Sequence, residues 1–240
     1  MIKKTIFTIA VSLLGCVLGT TLTACSSDDE PGVAAIVPPT AQGTFTDPRD
    51  GTEYGYVSYG GLDWMTTNYA YDVGSEHCSI YLDADEHYDN PTSTRNLAKY
   101  GRLYDLKGAQ MACPEGWRLP TDADWQRLEQ ALGMSAAESA ASDWRGNVAF
   151  SMFSTKDRPT PLNLLLGGYR TTNINMGRSP YRFMGVYGYY WTASVDDIKE
   201  GGCYICRKVI YNSSQVCRLS TDPAALQMSV RYVRDTTLLP

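Results

Sequence analysis

Seven cysteines, two histidines and 26 carboxylates are the side chains with most chemistry to offer in this 240-residue chain. Cys203-Tyr-Ile-Cys206 has the spacing of a zinc or dithiol pair. A redox pair of that kind opens a helix, whereas these two lie in a strand-like run, where side chains three apart face opposite ways. One such pair with two histidines makes a poor zinc site. Asp83-Ala-Asp-Glu-His-Tyr-Asp89 gathers four carboxylates, Asp83, Asp85, Glu86 and Asp89, and suggests calcium. The twelve-residue calcium-loop spacing fails, because its sixth position is Tyr88 and its twelfth Thr94. A solvated acidic loop is the better reading, and His77 and His87 read as surface residues of it. G-x-S-x-G, H-E-x-x-H and the Walker loop do not occur in the sequence. The expectation is a domain without a metal site, a cofactor or a catalytic constellation.

What remains is aromatic. Tyr is abundant, 17 against five Phe, and Ser179 to Trp191 holds Tyr181, Phe183, Tyr187, Tyr189, Tyr190 and Trp191 among Gly185, Gly188 and Arg182. Tyrosine in a Gly-rich loop offers large, rigid, amphipathic contact area. Arg178, Tyr181, Arg182 and Tyr187 are the candidate ligand contacts, flanking Tyr190-Trp191, which reads as core along with Trp64, Trp117 and Trp125.

The elements that must position these residues belong to a globular chain, 43% hydrophobic and 20% charged, with 21 Gly and 12 Pro lacking any collagen period. A net charge of -5 and no local basic run exclude a nucleic-acid backbone as partner. Asp47-Pro-Arg-Asp-Gly51 reads as the turn of a hairpin between short strands at Thr44–Thr46 and Glu53–Val57. Gly60-Gly61 is a further turn before a strand from Leu62 to Thr66. Tyr100 to Met111 carries a moderate helix signal, ended by Cys113-Pro-Glu-Gly116. Thr121 to Leu132 is the best-signed helix, with Thr121 as cap, Asp124 at its third position and Trp125, Leu128 and Leu132 on one face. Ser135 with Glu138 opens another capped segment running to about Asp143. Residues 145–200 read as a long irregular region. Cys203–Tyr211, Val216–Leu219 and Leu226–Arg234 read as a closing antiparallel set. Two to three helices among short antiparallel strands make a single α+β domain over residues 44–235, with a tail at 236–240.

Residues 1–24 have a basic start at Lys3 and Lys4, an apolar stretch from Thr5 to Gly19 and small residues before Cys25. That run is too short to span a bilayer comfortably and reads as a secretory signal. The Leu22-Thr-Ala-Cys25 end resembles the lipobox of bacterial lipoproteins. The resemblance implies cleavage before Cys25 and acylation of its thiol and amino group, anchoring the chain in outer-membrane lipid. Ser26, Ser27, Asp28, Asp29 and Glu30 resemble the acidic export signal that sends some lipoproteins to the cell surface. Residues 25–43, with Pro31, Pro38 and Pro39, then form a tether. The mature chain keeps 19 basic against 26 acidic side chains, a net charge of -7.

Several motifs in order resemble the Fibrobacter succinogenes major paralogous domain family. They are Asp47-Pro-Arg-Asp-Gly51, Trp64-Met65 with Asn68, Tyr100-Gly-Arg-Leu-Tyr104, Cys113-Pro-Glu-Gly-Trp-Arg-Leu-Pro120 with Trp125, Gly168-Tyr-Arg170, Tyr190-Trp-Thr-Ala-Ser194 and Ser229-Val-Arg-Tyr-Val-Arg-Asp235. The resemblance covers about residues 45–235 and implies a surface protein with a C-type-lectin-like fold and no set activity. The calcium-binding Glu-Pro-Asn and Trp-Asn-Asp signatures of lectins are absent. Arg118-Leu-Pro-Thr121 with Trp125 also resembles the sulfatase-modifying, formylglycine-generating enzymes, but their closing motifs and cysteine pair are missing. Relatives' disulfide partners fall here at Asn96 or Leu97 and at Tyr232, so the family pattern does not carry over. A hairpin turn centred on Tyr211-Asn212 would instead set Cys206 opposite Cys217, leaving Cys78–Cys113 as the complementary pair and Cys203 free.

The leading expectation is a non-catalytic surface lipoprotein whose lectin-like domain binds a glycan or a protein, or contributes to a surface assembly. The alternatives are a sulfatase-modifying enzyme and a purely structural envelope or fibre subunit. The anchor can be tested directly. Cys25→Ala should abolish acyl labelling, and replacing Asp28, Asp29 and Glu30 by Ala should keep labelling while reducing loss of the domain to protease on intact cells. Full protease protection of the unaltered protein rules out surface exposure.

Overall fold

Two capping boxes organise the helical part of the molecule, seen in a computed structural model that describes residues 35–82, 91–173 and 179–236. Contacts divide the chain into Met1–Gly32 and Val33–Pro240, and every described residue belongs to the second unit. Its helices are α1 (Pro91–Tyr100), α2 (Leu106–Met111), α3 (Asp122–Ala131), α4 (Ala136–Ala140) and α5 (Ala149–Met152). Thr121 Oγ1 accepts from the Asp124 N–H while the Asp124 carboxylate accepts from the Thr121 N–H, and Ser135 with Glu138 repeats the arrangement. Both boxes stand where the sequence places them, and Trp125, Leu128 and Leu132 are buried.

The expected helix over Tyr100–Met111 is replaced by three pieces. Helix α1 ends at Tyr100, strand β5 (Leu103–Tyr104) follows, and α2 restarts under an Asp105 cap. Gly101 makes the break: it sits at φ +67, and a Cβ there would lie 2.6 Å from the Asn68 and Tyr69 carbonyl oxygens. The segment after Ser135 also ends early, because Ala141 turns extended and Asp143–Arg145 become strand β6.

Strands β1 (Gln42–Thr46), β2 (Glu53–Tyr59), β3 (Leu62–Met65) and β13 (Val233–Asp235) form one antiparallel sheet in that order, so the last strand joins the sheet of the first three through β3. A second sheet runs β6, β11 (Val216–Thr221), β10 (Tyr204–Ile210) and β9 (Tyr187–Val195). Two small sheets join β12 (Leu226–Gln227) with β7 (Tyr169–Thr171) and β8 (Tyr181–Arg182), and β4 (Cys78–Ser79) with β5. The class is α+β, with five short helices among the described residues where two or three were expected. The region 145–200 is less irregular than its composition suggests: α5, β7, β8 and all of β9 lie within it. The expected strand from Leu226 to Arg234 is interrupted, since Met228 and Ser229 leave β12 to bridge Tyr104 and Tyr190.

The disulfide expectation is overturned. Cys78, Cys113, Cys203, Cys206 and Cys217 are all free thiols. The β10–β11 register pairs Cys206 with Leu219 and Lys208 with Cys217, so the turn is centred one residue later than Tyr211-Asn212 requires. Cys206 and Cys217 are thus diagonal neighbours on one face, at a spacing of about 7 Å that a disulfide does not bridge without backbone movement. Cys78 Sγ points to the Asp72 carboxylate and the Gly74 carbonyl, whereas Cys113 Sγ points to the carbonyls of Pro114 and Trp117.

Helix α3 is held to the second sheet by buried charge. Glu129 accepts from Arg207 Nε and from Arg145, each at 2.7 Å, and Asp122 accepts from Arg207 and Arg218. Burial pushes the Asp122 carboxyl up, but hydrogen bonds and charge from Arg218 and Arg207 outweigh it and hold it at about 2. An unfolded aspartate titrates near ~3.9, so the native state binds fewer protons between those values. The Asp122 contribution, about 2 kcal/mol, is complete above pH ~4 and is lost as pH falls toward 2. Denaturant melts against pH should show that acid limb, and Asp122→Asn should flatten it. Glu129→Gln should cost about 3 to 5 kcal/mol at neutral pH, since it strips a buried carboxylate from two arginines.

Candidate functional site

The face of the second sheet turned away from α3 packs on a second core cluster at its Trp191–Cys206 end, and at its other end carries a set of partly accessible aromatic side chains. Alternation along β9 sends Tyr187, Tyr189 and the buried Trp191 to that face and Tyr190 into the other core cluster against Trp125, 5.8 Å away. Four rings close a circuit: Phe183–Tyr187 at 5.1 Å, Tyr187–Tyr189 at 5.9 Å, Tyr189–Tyr169 at 5.1 Å and Tyr169–Phe183 at 6.0 Å. Tyr189 is the buried floor, Tyr169 and Tyr187 are half-buried, and Phe183 is 46% exposed.

The circuit continues across the sheet. Tyr189, Lys208, Cys217 and Trp144 are successive register partners on β9, β10, β11 and β6. The Lys208 ammonium lies 4.3 Å from the Tyr187 ring centre, 5.1 Å from Trp144 and 5.5 Å from Tyr189. This row spans about 14 Å across four strands.

Phe183 is held in a conformation that bulky residues avoid, with φ +64. Its carbonyl accepts from the N–H groups of Val186 and Tyr187 at 3.0 Å, and Gly185 N–H donates to the Leu166 carbonyl at 2.7 Å. Gly168, from the Gly-Tyr-Arg motif, lets this turn come close: a Cβ there would sit 2.2 Å from the Arg182 carbonyl oxygen. These contacts over-determine the turn and hold an apolar ring, 46% exposed, at the surface.

Only part of the expected contact set belongs to this surface. Tyr187 does. Tyr181 does not: it is 8% exposed and packs on Tyr81, ring centres 5.2 Å apart, in a small cluster with Leu82 and Leu103. Pairing of β8 with β7 turns its side chain inward, opposite Arg170. Arg182 lies across from Tyr169, half-buried, with its guanidinium donating to the carbonyls of Ser179 and Tyr181. Arg178 lies outside the described residues, as do Cys25, Ser26, Ser27, Asp28, Asp29, Glu30, His87 and the acidic loop Asp83, Asp85, Glu86 and Asp89. Sequence reading missed Trp144, Tyr169 and Lys208, because only cross-strand register brings them to Tyr187 and Tyr189.

His77 is not the surface residue expected. Its ring Nδ1 meets the Asp105 carboxylate at 2.9 Å beside an open cleft of about 410 Å³. Asp105 also caps α2, and among the described residues no hydroxyl or thiol bonds the other ring nitrogen, so no charge relay is assembled. Cys113 lines a second cleft of about 430 Å³ with Trp117 and Arg118. Burial pushes its thiol up to about 11 and that of Cys206 up to about 12, so both are protonated and poorly nucleophilic at neutral pH.

The motif residues themselves are occupied with structure. Arg49 donates to Asp47, Tyr69 and the Ala112 carbonyl, and Tyr69 also donates to Asp47. Arg231 is fully buried among the carbonyls of Met65, Leu162 and Asn163 and the Asn68 side chain, and burial pulls its guanidinium down to about 10. Arg118 pairs with Asp124 and Arg234 with Asp63. The profile of the Fibrobacter succinogenes major domain matches residues 57–234, about three quarters of the chain. The protein belongs to that family. No curated protein and no solved structure matches it. In this member of the Fibrobacter succinogenes major domain family, the Arg118-Leu-Pro-Thr121 segment caps α3 and pairs with it, which gives that motif a role in the architecture.

Side-chain truncation separates the packed from the displayed aromatics. Trp191→Ala should lose about 3 to 5 kcal/mol and Tyr181→Ala about 2 to 4 kcal/mol. Tyr187→Ala should lose about 1 kcal/mol or less, and Phe183→Gly should be near neutral because glycine relieves the positive φ. Thermal melting of the four variants checks the order; a Tyr187 variant melting as early as the Trp191 variant removes Tyr187 from the displayed surface.

Proposed function

We propose that this protein is a surface lipoprotein, anchored through acylated Cys25, whose family domain binds a saccharide on the aromatic face of its second sheet without catalysing a reaction. The observation that carries this reading is the circuit of Tyr169, Phe183, Tyr187 and Tyr189, with an exposed phenylalanine fixed at φ +64. Sugar rings present flat C–H faces that pack on aromatic rings, and their hydroxyls take hydrogen bonds from tyrosine hydroxyls at the rim. Rigid rings on paired strands lose little entropy when a ligand docks. The lipobox-like Leu22-Thr-Ala-Cys25 and the acidic Ser26–Glu30 segment support the anchor and its outward orientation. The C-type-lectin-like resemblance of the motifs supports a recognition role, on fold-level analogy.

The test is a glycan-array screen of the full chain, followed by titration of the best ligand against variants. Phe183→Ala and Tyr187→Ala should each weaken binding by about 1 to 3 kcal/mol while melting within a few degrees of the unaltered chain. A ligand that binds both variants as well as the parent is not held by this face. An array with no sugar bound, alongside a protein captured through Tyr187 and Phe183, replaces the saccharide with a protein partner.

A further inference from the structure

Lys208 differs from the arginines of the same sheet. Arg145, Arg207 and Arg218 all meet carboxylates at 2.7 to 2.9 Å on the face that packs against α3. Lys208 points the opposite way. Among the described residues no carboxylate lies within ion-pair distance of its Nζ and no oxygen accepts from it. Its surroundings are the rings of Tyr187, Tyr189 and Trp144 and, across the β11 register, the buried Cys217. The π-faces attract the ammonium and fix its position, but they supply none of the three acceptors an ammonium can use. A half-buried, positioned cation without a protein acceptor among the described residues, set inside an aromatic row, is complementary to an anion carried on a ring.

We propose that Lys208 makes the saccharide an anionic one: a sugar ring lies on the Tyr187–Phe183 faces and its carboxylate or sulfate group is seated on the Lys208 Nζ. This rests on the saccharide reading above and names the ligand class for the same face. An ammonium is a point charge without the planar fork of arginine, so it accepts carboxylate and sulfate alike. A single lysine on a chain of net charge -5 does not serve a nucleic-acid backbone, which needs several phosphate contacts. It suffices to select a charged sugar over its neutral counterpart, because a charge-assisted hydrogen bond outweighs a neutral one.

The experiment titrates the full chain, in mild detergent, with polygalacturonate and its methyl ester, with dextran sulfate and dextran, and with polyglutamate. The acidic sugar polymer of each pair should bind roughly tenfold tighter than its neutral partner. Lys208→Met, which keeps the aliphatic stem between the rings, should bring that ratio close to one, and Lys208→Arg should retain it. Both variants should melt within about two degrees of the parent. A Lys208→Met chain that melts early is judged on the Lys208→Arg chain and on the parent's own ratios, which need no variant. Equal binding of acid and ester by the parent overturns the anionic assignment and leaves the saccharide reading standing. A preference that survives Lys208→Met overturns the role of Lys208. Polyglutamate binding as tightly as polygalacturonate transfers the site to an acidic peptide, and binding of no sugar at all, charged or neutral, overturns both readings.

Discussion

The buried ion network around Glu129 is the interaction on which the rest of the architecture depends. Arg145 comes from β6, Arg207 from β10, and Glu129 from α3, with Asp122 and Arg218 closing the outer side. These charges stand where an apolar contact would serve for stability alone, and each carries the penalty of leaving water. What they add is placement. A carboxylate that must satisfy two guanidinium groups admits one rotation of α3 over the sheet, and that rotation drives Trp125 into Trp64 and Tyr190, at 4.9 and 5.8 Å. With the α3-facing side of β9 and β10 committed in this way, alternation leaves Tyr187, Tyr189 and Lys208 on the opposite side, next to the buried Trp191 and Cys206.

The same economy explains why the family motifs say little about chemistry. Their polar side chains reach inward: Asp47 to Arg49 and Tyr69, Asn68 to Arg231, Arg118 to Asp124, Arg234 to Asp63. Burying a charge or an amide is tolerable only when each donor and acceptor has a partner, so such residues are tied to one geometry and recur as a motif. A group already satisfied by its own fold has less left to offer a ligand, although Arg118 still lines a cleft. The side chains proposed above for recognition, Phe183, Tyr187, Trp144 and Lys208, are ones that the framework positions through ring contacts instead.

How much of this was legible in the sequence depends on the range of the interaction. The α3 and α4 capping boxes are contained within four residues each, and both appear as read. The α+β class and the burial of Tyr190, Trp191, Trp64 and Trp125 follow from periodicity and size. The break after Tyr100 was hidden because it depends on the Asn68 and Tyr69 carbonyls, some thirty residues away, pressing on Gly101. The cysteine pairing failed on a single residue of register at the β10–β11 turn, a shift that composition does not encode. Tyr181 and Tyr187 are indistinguishable in a Gly-rich run, yet strand pairing buries one and displays the other.

Lys208 shows why the surroundings of a side chain escape motif reading. Nothing in Cys206-Arg-Lys-Val209 distinguishes the two basic residues, and sequence places them side by side. Pleating sends Arg207 to two buried carboxylates and Lys208 to three aromatic rings drawn from β6 and β9. One cation is thereby neutralised for good and locks the fold. The other is held in place by groups that attract it without quenching its charge, so its capacity to pair remains available at the surface. The difference between Arg207 and Lys208 in this domain is a rotation of 180° between adjacent strand positions, set by the helix that packs on the far side.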